Sequence, residues 1–551
     1  MIDYRAPVDD MLFALRHGAE AARLDDWDDE LASEILVQAG RFIDAEIAPL
    51  DPIADSEPCD LADGRVKMPP AFVTAYARYC EAGWPGIASP EDYGGMGLPH
   101  ALGSAVSEML SGACVTFQMI LSLAQAGIRA VLINGSDEQK QRYLPRLASG
   151  EWLATVCLTE AQAGSDLAQV RTRATQEADG RWRIDGGKVF ISGGDQDMSD
   201  GILHLVLART PEAGEGTRGL GLFLCPAALD DGTRNGVSVV RLEEKMGMHA
   251  SPTCQLAFDG AMAEIVGAPG EGLPRMFTMM NAERLDVAIE GIGLAEVAAQ
   301  RARHHAGERM QGRAPGSGRA TDPIHRHSDV QRMLFTQLAL AHGCRAMAYR
   351  TDVELQLDPA NPLVELMTPV CKAFCTDAAV TSADLAIQVH GGYGYCREYR
   401  VEQVLRDARI TPIYEGTNGI QAMTLAGRVL HGRANAADAF AAEIAGVANA
   451  GGAMGGALAN ALTHWQRATE VVRGLNDPGF AAIAYLRLTG LVALSAVWAR
   501  MEANAEASPN PARTRAVAAF VRDWMLSEAG PLADRVGAPP PPTDEAVFAY
   551  P

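Results

Sequence analysis

The periodicity of apolar residues changes twice along this sequence, and these changes constrain the fold more than any single motif. Residues 1 to about 155 carry amphipathic helical stretches separated by short loops. From Trp152 to about residue 270 the pattern becomes short apolar and β-branched runs, such as RWRIDGGKVFIS and ILHLVLART, with turns between them. Helical periodicity returns from Met276 onward. The pattern predicts an α+β protein with a compact antiparallel β domain between two helical domains.

The 551 residues are too many for one hydrophobic core and predict several domains. After residue 435 the Ala/Gly stretch AGVANAGGAMGGALANAL separates further helical segments, and the Pro-rich run GAPPPPTDEAVFAYP follows them. We predict an N-terminal extension at 1–34, an N-terminal helical domain at 35–155, a central β domain at 156–272, a C-terminal helical bundle at 273–435, and an appended helical domain with a loose tail at 436–551.

The net charge indicates which partners to expect, and the cysteines indicate which cell compartment. The chain has 47 Lys and Arg against 69 Asp and Glu, a net charge of −22, which repels nucleic acid phosphates and anionic membranes. Its ten cysteines are scattered with no CxxC pair, and the start MIDYRAPVDD lacks a signal-peptide pattern, which favours a reducing cytoplasm. No run approaches the roughly eighteen apolar residues of a membrane span, so we expect no stable membrane insertion.

Capping patterns locate several helix ends. Ser136 and Gln139 form a predicted capping box, and Ser328 with Gln331 predicts a second one. The helix that runs through LMTPVCKAFCTDAAVTSADLAIQVH is predicted to stop at Gly391 and Gly392, because glycine commonly ends helices.

One acid stands out as a candidate catalytic residue. In RDARITPIYEGTNGIQ, residues 406 to 421, Glu415 directly precedes a Gly-Thr-Asn-Gly turn. Adjacent glycine lets a substrate approach closely, and the run from Thr411 to Tyr414 is apolar enough to desolvate the carboxylate and strengthen it as a base. The alternative is that Glu415 merely caps the following helix.

Several motifs in one order resemble the acyl-CoA dehydrogenase family of flavoproteins over most of residues 35 to 430. YRAPVDD and the C-terminal helical domain are similar to the extended members of the family. The resemblance implies an acyl-CoA dehydrogenase-like fold, FAD as cofactor, and removal of an α-proton and a β-hydride from an acyl-CoA thioester. The motifs are EDYGGMGLP, CLTEAQAGSDLAQVRTRA, KVFISGG, EKMGMHASPT, MNAERL, ERMQGR, QVHGGYGY and IYEGTNGIQ.

The same resemblance implies a role for each matching residue, with Glu415 as the base and its N–H in the oxyanion hole. The residues implied to bind FAD are Thr159, Ser165, Ser192, Arg309, Gln311, Gln388, Gly391, Gly392 and Thr417, of which Arg309, Gln311, Gln388, Gly391 and Gly392 would serve a neighbouring subunit. The residues implied to bind substrate are Asn281, Arg284, Ser165, Ser251 and Gly416. The family's Gln-Phe-Gly is Gln311-Gly312 here, so one aromatic contact to the cofactor is missing.

Each of these motifs also has a simpler interpretation. TEAQAGSD could be only a turn, Arg309 a solvated arginine, and Arg284 a buried partner of Glu283 or Asp286. GEGTRG at 214 to 219 matches the dinucleotide fingerprint GxGxxG, but a strand-like run follows where the motif needs a helix, so we predict no NAD site there. Paired histidines at 304–305 and at 325 and 327 lack further ligands, and we predict no metal site.

The leading hypothesis is a cytoplasmic homo-oligomer, at least a dimer, that passes electrons to an electron-transfer flavoprotein. An acyl-CoA oxidase is one alternative. A homologue that binds DNA is another, although residues 436 to 551 contain both charge signs and no Lys/Arg run. The acyl chain preference stays open at this point.

Overall fold

The computed structural model describes residues 2–210, 214–433, 435–542 and 545–548, without the side chains of 277–281 and 545–546. The N-terminal part is helical apart from one small hairpin. Its elements are α1 (Val8–Phe13), α2 (Asp29–Phe42), α3 (Leu50–Ser56), β1 (Asp60–Ala62), β2 (Arg65–Lys67), α4 (Pro70–Glu81), α5 (His100–Asn134) and α6 (Asp137–Ala148). Helix α5 is interrupted at Cys114, where φ −161° and ψ 90° leave the helical region.

The central domain is a seven-stranded sheet that closes on itself, since β6 pairs with both β4 and β7. Most pairings are antiparallel, as predicted, but β6 runs parallel to both β3 and β4. The predicted boundary at 155–156 falls inside β3. The strands are β3 (Trp152–Cys157), β4 (Arg173–Gln176), β5 (Trp182–Ser192), β6 (Gly201–Arg209), β7 (Leu220–Pro226), β8 (Val237–Leu242) and β9 (Thr253–Val266).

Long helices follow the sheet and form the bundle that carries the candidate site. Small residues let them approach closely: a Cβ added to Gly291 of α7 would lie 2.8 Å from the Cys375 carbonyl oxygen of α9. The bundle helices are α7 (Gly272–Glu308), α8 (Ser328–Leu357), α9 (Pro362–His390), α10 (Val401–Ala408) and α11 (Asn418–Met423).

Three of the appended helices pack against α8 and α9. The Trp498 indole N–H of α14 donates to the Ala339 carbonyl of α8 at 3.0 Å, and Gly490 of α14 lies close to the Phe374 ring of α9. The appended helices are α12 (Ala436–Asn449), α13 (Gly455–Arg473), α14 (Gly479–Ala503), α15 (Pro511–Phe520), α16 (Ala529–Val536) and α17 (Glu545–Phe548).

Most predicted helix signals are present, and one is wrong. The Ser136–Gln139 capping box forms, and α9 ends at His390 with Gly391 at φ 64°. Helix α8 begins at Ser328, but His327 is the residue before its first turn and the Ser328 box does not form. GEGTRG leads through a short 3₁₀ turn into strand β7, so the helix that a dinucleotide site needs is not there.

Two helices are long and apolar enough to cross a membrane by length and composition, so the expectation that no run approaches this size is wrong. They are α5 and α14, and 78% and 83% of their most apolar stretches are buried inside the fold. Core helices of a folded protein meet the same criterion.

Candidate active site

Glu415 lies in the turn between α10 and α11, half-buried and in the left-handed region at φ 51°. Gln421 stabilises this turn, because its Nε2 donates to the Glu415 carbonyl at 3.1 Å and to the Gly416 carbonyl at 3.2 Å. The residue that caps α11 is Thr417, whose hydroxyl accepts from the Ile420 N–H at 3.2 Å. The interpretation of Glu415 as a helix cap is therefore wrong, and its carboxyl is available for another role.

A second carboxyl group faces Glu415 from helix α7. Glu283 is 4% exposed, and apart from Glu415 neither of its oxygens has a hydrogen-bond partner among the described residues. Burial, and then the charge of Glu415, raise the pKa of Glu283 well above its usual value. Burial and the neighbouring carboxylate therefore both favour the protonated form of Glu283.

The pKa of Glu415 is raised less strongly. Burial raises it, whereas the contact with Glu283 and the cations Arg284 and Lys372 lower it. Lys372 of α9 is fully buried, its Nζ donates to Asn418 Oδ1 at 3.0 Å, and burial lowers its pKa to about 8. Two buried carboxyls in one site titrate as a pair, and here the proton belongs on Glu283.

Acids continue along the same face of α7. Asp286 and Glu290 follow Glu283 at three and seven residues, the spacing of one helical stripe. Asp286 pairs with Arg129 of α5, and Glu290 accepts a hydrogen bond from the Tyr414 hydroxyl. Burial, assisted by the charges of Asp286 and Glu415, raises the pKa of Glu290 to about 7.

Helix α7 carries two further residues predicted to bind substrate, Arg284 and Asn281. Arg284 is 4% exposed, burial and the charge of Arg428 lower its pKa, and the charges of Glu415 and Glu283 raise it. Arg284 thus lies in the field of the acid pair, as its position one residue after Glu283 requires. The side chain of Asn281 lies outside the described residues.

The predicted flavin hydroxyls are brought together by the sheet. The Thr159 carbonyl accepts from the Val189 N–H at 2.9 Å, which joins CLTE to KVFIS, and the hydroxyl residues Thr159 and Ser192 are both half-buried. The buried pair Lys188–Glu160, at 2.8 Å, supports the same junction. Despite burial, Lys188 holds the pKa of Glu160 at about 2.

Two other serine candidates are placed differently from these hydroxyls. Ser165 is exposed, whereas Ser251 is 1% exposed and its hydroxyl has no hydrogen-bond partner among the described residues. Their contacts with cofactor or substrate stay predictions.

A second group of candidates gathers where α7 and α9 end. The His305 ring stacks on the His390 ring at 4.1 Å, and the Arg309 guanidinium lies over the Tyr393 ring at 5.3 Å. Glycine keeps this surface open, since a Cβ on Gly391 or Gly392 would meet nothing within 4 Å. The exposed residues Gln311 and Gln388 lie on the two segments that meet here.

None of the four histidines considered as metal ligands is left without a protein contact. His304 pairs with Glu308, His325 Nδ1 bonds the Ala306 carbonyl, and His327 Nε2 bonds the Gln311 carbonyl. Within the described residues no cluster of three or more potential metal ligands occurs.

Comparison with known families now decides the assignment. Residues 30–151, 155–261 and 270–430 match the N-terminal, middle and C-terminal domains of acyl-CoA dehydrogenase. The chain belongs to the acyl-CoA dehydrogenase family. An acyl-CoA dehydrogenase is an oxidoreductase acting on the CH–CH bond of acyl-CoA, with FAD as its cofactor, and these three predictions are confirmed.

Individual relatives support the narrower likeness to the extended members. The chain is 40% identical to the 3-methylmercaptopropionyl-CoA dehydrogenase of Ruegeria pomeroyi over 89% of each chain. A chain in the structure of the electron transferring flavoprotein of Acidaminococcus fermentans is 28% identical, with a TM-score of 0.63, over 74% of this chain and 100% of that one. The acyl-CoA dehydrogenase of Bacillus anthracis, complexed with FAD, shares the fold at 22% identity and a TM-score of 0.75, over 93% and 88%.

Sequence reasoning missed several residues of this acyl-CoA dehydrogenase site. Glu283 and Asp286 were considered only as partners of Arg284, and Glu290 not at all, although their spacing on one face was a usable signal. Phe190 was also missed: it is 64% exposed, lies two residues before Ser192 and has φ 61°, a rare conformation for an aromatic residue.

Proposed function

We propose that this protein converts an acyl-CoA thioester to the trans-2-enoyl-CoA, with Glu415 taking the α-proton. The observation that carries the proposal is the Glu415–Glu283 pair, in which half-buried Glu415 of the turn faces buried Glu283 of α7. A base needs a pKa close to the working pH, and burial moves that of Glu415 in this direction.

Glu283 has a supporting role in this scheme. As the neutral member of the pair it donates toward the ionised Glu415 carboxylate, which keeps Glu415 deprotonated and oriented. When Glu415 takes a proton from the substrate, the neighbouring Arg284 and Lys372 lose an anionic partner. Because their charges favour the ionised form of Glu415, the proton can then leave for solvent.

The turn also supplies a donor for the developing enolate. Among the described residues, the Glu415 N–H donates to no protein acceptor, so it can donate to the thioester oxygen. A preorganised backbone N–H at a developing negative charge lowers the barrier of such reactions by about 3 kcal/mol.

The residues at the sheet fit a flavin. Thr159 and Ser192 offer half-buried hydroxyls, Phe190 offers an exposed ring beside them, and Gly193, at φ 64°, allows close approach. FAD, when bound, supplies the acceptor for the β-hydride. The chain's part is to bind the ring through neutral hydroxyls, which position it without adding charge.

The group at Arg309 supports a homo-oligomer. Arg309 follows Glu283 by 26 positions along α7, roughly 40 Å at helical rise, which is longer than one extended dinucleotide. We therefore assign Arg309, Gln311, Gln388, Gly391 and Gly392 to the cofactor of a neighbouring subunit. Tyr393, 43% exposed and under Arg309, can replace the aromatic contact that Gln311-Gly312 lacks.

We propose an electron-transfer flavoprotein as the electron acceptor. The likeness to a chain in the electron transferring flavoprotein structure of Acidaminococcus fermentans supports this choice over oxygen. The alternative of an oxidase predicts hydrogen peroxide in air at the rate of substrate turnover.

The test is Glu415→Gln, with Glu57→Gln, an exposed acid far from the site in sequence, as the matched control. Both purified proteins should keep the flavin absorption spectrum. Anaerobic acyl-CoA should bleach the wild type and Glu57→Gln, whereas Glu415→Gln should bleach at least a thousandfold more slowly, because the base is absent. Bleaching of Glu415→Gln at the normal rate would rule out Glu415 as the base.

A further inference from the structure

A small cavity adjoins the acid stripe of α7. Its volume is about 50 Å³, and its walls include Gln118, Ser122, Gln125 and Arg129 of α5 and Asp286 of α7. A volume of this size holds roughly two to four water-sized groups. It suits the end of a short chain and is too small for a long one.

A chain of hydrogen bonds links the cavity to the turn that carries Glu415. Ser122, in its wall, hydrogen-bonds Glu290, and Glu290 accepts from the hydroxyl of Tyr414, the residue before Glu415. Asp286, also in its wall, is three residues from Glu283 on the same helix. A thioester with its α-carbon at Glu415 therefore directs its acyl tail toward this space.

Two polar groups on the wall lack partners among the described residues. Gln118 is 4% exposed; one end of its amide contacts Ser107 Oγ at 2.6 Å, and the other end, Oε1, has no partner. Arg129 Nε also has none, although its other nitrogens reach His100 at 3.0 Å and Asp286.

An unmade hydrogen bond in a buried place is costly, and this decides what the cavity selects. A purely alkyl tail would exclude water and leave the Gln118 oxygen unpaired. A hydroxyl can donate to the Gln118 oxygen, and it would still fit if the amide were turned over, since it would then accept. A charged tail would have to be desolvated beside Asp286 and Glu290.

We propose that the cavity selects a short acyl chain whose distal end carries a hydroxyl group. The inference rests on the proposed dehydrogenation and names the substrate class of that same site. Sites built to hydrogen-bond a substrate hydroxyl reject the matching alkyl analogue strongly.

The experiment uses the purified holoenzyme and two isosteric pairs, in which a terminal hydroxyl replaces a methyl: 5-hydroxypentanoyl-CoA against hexanoyl-CoA, and 6-hydroxyhexanoyl-CoA against heptanoyl-CoA. The measured quantity is kcat/KM with an artificial electron acceptor. We expect at least one hydroxylated ester to exceed its alkyl partner by about tenfold or more. Gln118→Leu should reduce this ratio to near one.

Gln125→Leu is the matched control, because Gln125 lines the same cavity but its Nε2 already donates to the Pro85 carbonyl at 2.7 Å. It should leave the ratio unchanged. A ratio near or below one in the wild type overturns the inference, as does a high ratio that Gln118→Leu leaves intact. Failure of both hydroxylated esters while another acyl-CoA bleaches the flavin also overturns it. No bleaching by any acyl-CoA would instead overturn the proposed function.

Discussion

Two buried sets of acids meet at helix α7: a compensated set, Glu296 with Glu108 of α5, which shares the cation Arg345, and an uncompensated set, Glu283 and Glu290. Glu296 is surrounded by cations and donors: Arg345 Nη2 at 3.1 Å, Gln300 Nε2 at 3.0 Å and Arg303 at 3.7 Å. Despite burial, these partners hold the pKa of Glu296 at about 2. Glu290, six residues earlier, has a tyrosine hydroxyl instead, and its pKa rises to about 7.

The pKa values of Glu290 and Glu296 differ because of their neighbouring charges and not because of burial, since both side chains are 1% exposed. The Glu296 carboxylate, which meets a guanidinium, stays charged and serves the structure. A buried carboxyl without a cation keeps its proton near neutral pH, and such groups concentrate at reaction sites. On this chain the change from one type to the other takes less than two helical turns.

The largest effect should come from removing the cation of the compensated set. Arg345→Met leaves Glu108 and Glu296 buried without their guanidinium, so the free energy of unfolding should fall by about 3–5 kcal/mol. Denaturant unfolding measures this. Arg41→Met, at an exposed position of α2, is the control and should change stability by less than about 0.5 kcal/mol. An equal loss in both variants would contradict the contrast.

The uncompensated set should show the next largest effect, through pH. Because the folded-state pKa of Glu290 is about 7 against an ordinary 4.5, the folded protein binds more protons between these values. Its contribution is therefore favourable at low pH and is lost as pH rises from 4.5 to 7, by about 3 kcal/mol. Unfolding followed across this range should be less pH-dependent for Glu290→Gln. An unchanged slope would show that Glu290 is charged in the folded state.

The smallest expected effect distinguishes the role of Glu283 from that of Glu415. In Glu283→Leu the donor to Glu415 is gone, so the pKa of Glu415 should rise and flavin bleaching should fail at a higher pH than in the wild type. Glu283→Gln keeps a donor and should keep the wild-type acid limb. If Glu283→Gln abolished bleaching while Glu415→Gln did not, the roles of the two acids would be reversed.

The elements that sequence predicted well depend on local chemistry. The Ser136 box and the Gly391 stop are set by a few neighbouring residues, and GEGTRG was dismissed on the strand that follows it. Glu415 was found because its neighbours along the chain are distinctive. Its motif and those around it were also enough to indicate the family.

The parts that were missed depend on which chain segments meet. The raised pKa of Glu283 comes from its burial and then from the charge of Glu415, 132 positions away, and the raised pKa of Glu290 comes first from its burial. The parallel β3–β6 pairing and the bend at Cys114 likewise follow from tertiary packing. At Ser328, the local pattern was right for a cap, but the helix begins one residue too early for the serine to serve as one.

The placement of α14 has a consequence for shortened forms of this protein. Because Trp498 and Gly490 lie against α8 and α9, a protein cut at residue 435 would present the faces of those two helices to water. Such a fragment would keep every proposed catalytic side chain but would be prone to aggregate. The appended helices thus cover an apolar surface that a second protein molecule would otherwise have to shield from water.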